Sequence, residues 1–255
     1  MRVEGEPAYI LHRRAYRNTS LIVDAFTPKF GRVALVGRGA RARGRSGNVA
    51  LEPFVPLLIG WSGRGEMNTL TSAEASAGLT LLRGIELAAG LYLNELILRL
   101  LPVGVAHPGV FGAYVTAIVS VSSGDHCLEA TLRRFEWALL DDIGLGLILD
   151  RDSEGQVLEA RAHYAYEPAS GPLRVPSGSA HDGPTFAGAS LIAFRDGRLY
   201  DGAALRDCKR LTRRVLDYHL DGRPMRSRDF LRTMVNGGKQ GARSLKGAGR
   251  RREGT

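Results

Sequence analysis

Between Ala8 and Leu70 the apolar residues come in runs too short for helices. Tyr9–Arg13, Leu21–Phe26, Arg32–Val36, Phe54–Trp61 and Met67–Leu70 are short and rich in β-branched or aromatic residues, which marks them as strands. Turn-forming stretches separate them at Arg17-Asn18, Thr27–Gly31, Gly37–Asn48 and Gly63-Arg64-Gly65. Five short strands with one long basic connection fit a small closed barrel of the OB type.

At Thr71 the period changes. Thr71 and Glu74 have capping-box spacing, and Leu79, Leu82, Ile85, Leu87, Leu91, Leu96 and Leu100 then recur at helical intervals up to Pro102. A second helix is expected over Val110–Val121 and a third over Asp125–Ile143. The third has Leu128, Leu132, Phe135, Leu139 and Leu140 inward, Arg133, Arg134 and Glu136 outward, and Gly144 as its C-cap. Residues 163–200 read as irregular, with Phe194–Arg198 as a hairpin turn. Asp201 opens a further helix with Leu205, Cys208, Leu211, Val215 and Leu216 on its apolar stripe, and a short helix follows over Arg228–Val235. The expected fold is α+β and multidomain. It comprises an N-terminal OB β-barrel (1–75), a central helical bundle (76–150), a small irregular C-terminal module with helices (151–236) packing on the bundle, and a disordered basic tail (237–255).

Charge is distributed unevenly. The chain carries a formal net +9 at pH 7. Residues 1–50 hold ten Lys or Arg against Glu4, Glu6 and Asp24, and residues 237–255 hold six against Glu253. Basic ends on a slightly acidic body point to a polyanion partner. The candidates for phosphate contact are Arg13, Arg14, Arg17, Lys29, Arg32, Arg38, Arg41, Arg43 and Arg45. Tyr9, Tyr16, Phe26, Phe30, Phe54 and Trp61 are available for stacking on bases, although most suit a core better.

Other chemistries are disfavoured. Gly37–Asn48 begins like a dinucleotide fingerprint, but Ala42 replaces its third glycine and no βαβ unit surrounds it. No Walker-type sequence occurs. Asp150–Gly155 resembles the start of a calcium loop, yet the twelfth position is Arg161 rather than a bidentate Glu, so an ordinary turn is expected. His163 and His181 have no cysteine nearby and no metal-ligand spacing, and two cysteines cannot form a disulfide framework. No nucleophile is tied to a base, so no enzyme and no cofactor are expected. Without a signal peptide or a long apolar span, a cytoplasmic location without membrane contact is expected.

Three stretches together resemble one family, the bacterial recombination mediator RecO. The first is Tyr16-Arg17-Asn18-Thr19-Ser20-Leu21, then Phe26-Thr27, Gly31-Arg32-Val33 and Val36-Gly37-Arg38-Gly39-Ala40-Arg41. The second is Tyr92-Leu93-Asn94-Glu95-Leu96 with Leu101-Pro102, then Leu132-Arg133-Arg134-Phe135-Glu136 and Leu139-Leu140. The third is Arg223-Pro224-Met225-Arg226-Ser227-Arg228. The resemblance implies binding of single- and double-stranded DNA and annealing of complementary strands. It also implies contact with the acidic C-terminal tail of single-stranded-DNA-binding protein (SSB). With RecR, and in many bacteria RecF, such a protein loads RecA onto SSB-coated strands, associating with the nucleoid during repair. Many members carry a four-cysteine zinc site in the C-terminal region; residues 151–200 contain no cysteine, so the chain resembles the zinc-free branch. Two other classes remain open on the residues alone. One is an RNA- or ribosome-associated OB protein and the other an OB-targeted nuclease.

Overall fold

The computed structural model describes residues 1–39, 51–63, 67–76, 82–124, 127–176, 181–199 and 202–235. Five strands open the chain: β1 (Arg2–Tyr16), β2 (Ser20–Thr27), β3 (Gly31–Gly37), β4 (Leu57–Ser62) and β5 (Asn68–Ala75). They close in the order β1-β2-β3-β5-β4. All neighbours are antiparallel except β3 and β5, which meet in a short parallel pairing at Leu35↔Asn68 and Val36↔Thr69. Fifteen residues are long for one strand, and β1 serves two neighbours. Register shifts between Val3 and Glu6 and between Ile10 and His12 bend it, so its first half pairs with β4 and its second half with β2.

Alternation along β3 places Val33 and Leu35 inside, where they meet Ile10, Val23, Ala25, Leu57, Ile59 and Trp61. Trp61 has no exposed surface, and Phe30 packs edge-on against it at 5.1 Å. Thr71 and Glu74 lie on β5 rather than capping a helix. The capping-box spacing is outvoted by the pairing of Ser72 with Gly60 and Glu74 with Leu58. The first described helix, α1 (Gly84–Leu100), starts at Arg83 without a side-chain cap.

Two tethers bind α1 to the barrel. The buried Asn94 amide donates to the Leu11 carbonyl at 2.8 Å, beside the bulge of β1. One to two turns further on, Arg32 Nη1 donates to the carbonyls of Leu98 and Leu101, which the end of the helix leaves without intrahelical partners. Gly104 N–H then reaches the Arg32 carbonyl, and the chain runs so close to β3 that a Cβ on Gly31 would lie 1.7 Å from the Val105 oxygen. Asn94→Leu is expected to lower unfolding free energy by roughly 1–3 kcal/mol, because the Leu11 carbonyl loses a buried donor. A urea titration should show a lower midpoint at unchanged slope.

Two more helices follow, α2 (Pro108–Ser122) and α3 (Leu128–Asp142). Gly144, at φ +75°, ends α3, with Leu145 N–H bonded to the Leu140 carbonyl. Arg133 and Glu136, expected outward, are buried at 3% and 0% exposure. They pair with each other, and Arg133 Nη1 also donates to Thr212 Oγ1. The expectation failed because helical phase alone puts charge in solvent unless a partner meets it inside.

The stretch 163–200, expected to be irregular, contains a three-stranded sheet ordered β7-β6-β8: β6 (His163–Glu167), β7 (Gly171–Val175) and β8 (Thr185–Ala187). Buried Tyr164 and Tyr166 anchor it, their hydroxyls accepting the amides of Glu159 and Ile148. Burial pushes the Tyr166 hydroxyl up to about 12. Asp150–Gly155 is a turn; Asp152 accepts the amides of Glu154 and Gln156. Phe194–Arg198 is not a hairpin but the end of α4 (Gly188–Arg195), where Gly197 at φ +68° lets Arg198 N–H return to the Ala193 carbonyl. The next helix, α5 (Gly202–His219), buries Cys208, Leu211, Val215 and Leu216 as its spacing predicts, and α6 spans 226–235. Asp201 lies outside the described residues.

The chain forms two compact units. One holds residues 1–106 and 121–124 with the segment from 224 onward; the other holds 107–120 and 125–223. α1 therefore clusters with the barrel, and α5 with α3, β8 and α4.

A cationic rim as the candidate nucleic-acid interface

Strand register decides which candidate cations are neighbours. Tyr16 pairs with Ser20 across the β1–β2 turn, and Leu21 pairs with Gly37. Arg17, in that turn, and Arg38, directly after β3, therefore stand at the same end of the barrel. Arg13 and Arg14, opposite Val23 and Ile22, lead up to this end. Arg41, Arg43 and Arg45 lie outside the described residues. Lys29 and Arg32 flank the β2–β3 turn, where Thr27 pairs with Gly31. Six residues of strand separate the two ends, roughly 20 Å.

The four described cations of the first end are exposed. Arg13 is ion-paired with Glu52 at 2.7 Å. The Arg17 guanidinium lies 5.1 Å above the Tyr16 ring, on a turn held at φ +52°. Arg14 and Arg38 have no ion pair among the described residues. Among the described residues, three guanidinium groups without an ion pair thus share one rim. A guanidinium keeps its charge at any physiological pH and presents several donors to phosphate oxygens.

The second end is different in kind. Arg32 is half-buried, its Nη1 is held by two α1 carbonyls, and burial lowers its pKa despite the opposing field of Asp24. It is a helix-end tether in this fold. Lys29 keeps an exposed ammonium, 3.6 Å from the buried Glu6 carboxylate, which also accepts the Lys29 amide. The sequence carries no local signal for either partner, since Glu6 and Glu52 are distant along the chain.

Of the six aromatic candidates, Tyr9, Phe26, Phe54 and Trp61 are buried, and Phe30 is packed on Trp61. Burial raises the Tyr9 hydroxyl above its ordinary range. Tyr16 is the candidate left at the cationic end. Among the described residues no cluster of three or more His, Cys, Asp or Glu could hold a metal ion. Residues 151–200 contain no cysteine. No helix among the described residues is long and apolar enough to cross a membrane.

A closed five-stranded barrel of this strand order defines an OB-like fold. Family comparison is more specific. Residues 1–79 match the model for the N-terminal part of recombination protein O, and residues 82–229 match that for its C-terminal part. The chain is 43% identical over 234 residues to the DNA repair protein RecO of Methylococcus capsulatus, covering 91% of this chain and 94% of the relative. It is 39% identical over 234 residues to that of Halorhodospira halophila, covering 91% and 97%. With the Pseudomonas aeruginosa protein it shares 41% over 226 residues, covering 89% and 94%. The chain belongs to the RecO family of DNA repair proteins.

Proposed function

We propose that this chain is a non-catalytic recombination mediator that binds single- and double-stranded DNA and anneals complementary strands. The observation that carries the reading is the set of exposed arginines, Arg14, Arg17 and Arg38, without an ion pair among the described residues, at one end of an OB barrel in a RecO-family chain. Arg13 supports them, and Arg41, Arg43 and Arg45 extend the same basic run in sequence. Annealing requires no bond chemistry. Two phosphate backbones repel, and a fixed cationic rim lowers that repulsion while leaving base edges free to pair. The barrel (1–75) is the DNA module in this reading. The rest of the chain serves partner contacts: RecR, the C-terminal tail of SSB and, where present, RecF, so that RecA is loaded onto SSB-coated strands. The protein acts in the cytoplasm, at the nucleoid during repair.

The test is strand annealing by the purified protein with and without SSB, at two salt concentrations. Annealing that accelerates at low salt and persists on SSB-coated strands is the expected result. Preferential binding of structured RNA in competition, or metal-dependent loss of labelled DNA, would replace this reading by an RNA-binding or a nuclease function.

A further inference from the structure

Two of the residue stretches that mark this chain are used in different ways. The Arg223–Arg228 stretch serves the architecture. Glu95, on α1, accepts the Ser227 amide at 2.8 Å and the Ser227 hydroxyl. Arg99, one turn along α1, donates to the Pro224 carbonyl at 2.8 Å, where the chain returns to the barrel's unit. The Tyr16–Leu21 stretch holds a side chain to which the fold gives no such task.

That side chain is Tyr16, the last residue of β1. Residues paired across a ladder share a face. Arg13 and Ala15 pair with Val23 and Leu21, which belong to the barrel core or pack on it. Arg14 and Tyr16, opposite Ile22 and Ser20, therefore stand on the other face, about 7 Å apart along the strand. Tyr16 is half-buried, and the Arg17 guanidinium lies over one face of its ring. The hydroxyls of Tyr164 and Tyr166 are fixed by backbone amides. Among the described residues no hydrogen bond holds the Tyr16 hydroxyl. Tyr16 offers a ring without a polar anchor, flanked along the chain by Arg14 and Arg17.

We propose that Tyr16 is the base-stacking residue of the rim and gives the barrel a preference for unpaired strands over duplex. The inference rests on the DNA-binding reading and names the part of DNA, an unpaired base, that this position takes. The arginines supply an attraction common to single strands and duplexes. The ring adds a contact that only an unpaired base can make, because the bases of a duplex are stacked on one another. The contact is indifferent to sequence, since every base has a π face. On annealing, the base leaves the ring for its partner, so the hold weakens as the product forms.

Binding of the full-length protein to three labelled ligands tests it: a 30-mer oligothymidylate, an abasic strand of the same length and charge, and a duplex of 30 base pairs. The parent should bind the oligothymidylate about tenfold more tightly than the abasic strand. Tyr16→Leu should lose about tenfold on the oligothymidylate and stay within about twofold on the other two ligands. Its log–log salt slope should match the parent's, because no phosphate contact is removed. Tyr16→Phe should stay within about threefold of the parent throughout, since a ring stacks without its hydroxyl. Thermal melts of both variants report on the fold. Equal losses by Tyr16→Leu on all three ligands overturn the inference. So does a reduced salt slope, which would make the ring a prop for Arg17, and so does a Phe variant as weak as the Leu variant. A parent that binds the abasic strand as tightly as the oligothymidylate overturns it without any variant, whether or not Tyr16→Leu folds. A parent that binds none of the three ligands overturns the DNA-binding reading itself, and this inference with it.

Discussion

Replacing Arg14, Arg17 and Arg38 together by Glu is expected to weaken DNA binding on the order of a hundredfold at low salt. The three side chains share one end of the barrel because the β1–β2 and β2–β3 ladders bring Tyr16, Ser20 and Gly37 together. Each guanidinium that meets a phosphate releases counterions, so loss of three contacts should also flatten the salt slope by about 2 to 3. The loss should be similar for every sequence, since backbone contacts carry no base information. Exposed positions away from the core usually change stability little, so the melting curve should stay close to the parent's. Lys29→Gln, compared with Arg17→Gln alone, is the control. It removes a cation at the far end, beside Glu6, and should leave affinity within about twofold. Equal losses from the two ends would mean that the rim is not the binding surface.

Glu136→Ala is expected to cost roughly 3–5 kcal/mol of stability, the largest effect we anticipate on the fold. Glu136 has no exposed surface, and Arg133 has 3%. Truncation would remove the carboxylate paired most closely with Arg133, whose contacts also include Thr212 at 3.3 Å and the more distant Glu129 at 3.8 Å. A buried guanidinium without its carboxylate retains most of its desolvation cost. Arg133→Met combined with Glu136→Leu removes both charges and should recover much of the loss. A thermal unfolding series of single and double variants measures the coupling. If the double variant is as unstable as the sum of the singles, the pair is not a coupled unit.

These two sites also show what the sequence could disclose. The barrel strands were legible because β2 and β3 are bounded by turn residues and β3 alternates cleanly between buried and half-buried positions. Helix α5 was legible because its apolar positions recur at helical spacing. Arg133 and Glu136 were not, because their burial depends on Thr212, 79 residues from Arg133. The sheet of 163–187 was hidden by strands of three to five residues, too short to show a period. Arg32 read as one more phosphate-binding cation, and its role as a tether appears only when α1 ends beside β3. The grouping of Arg17 with Arg38 likewise required the ladder registers, which charge counting cannot supply.

The return of the chain at Pro224 has a consequence for synthesis. Glu95 and Ser227 are 132 residues apart. At about 5–20 residues per second, Ser227 is made roughly 7 to 26 s after Glu95. Through that interval the barrel strands can close, while the Glu95 side of α1 waits for a segment not yet translated. The intervening 107–223 has time to fold first and then to present Pro224 to its place. The barrel's unit is therefore begun first and finished last on the ribosome.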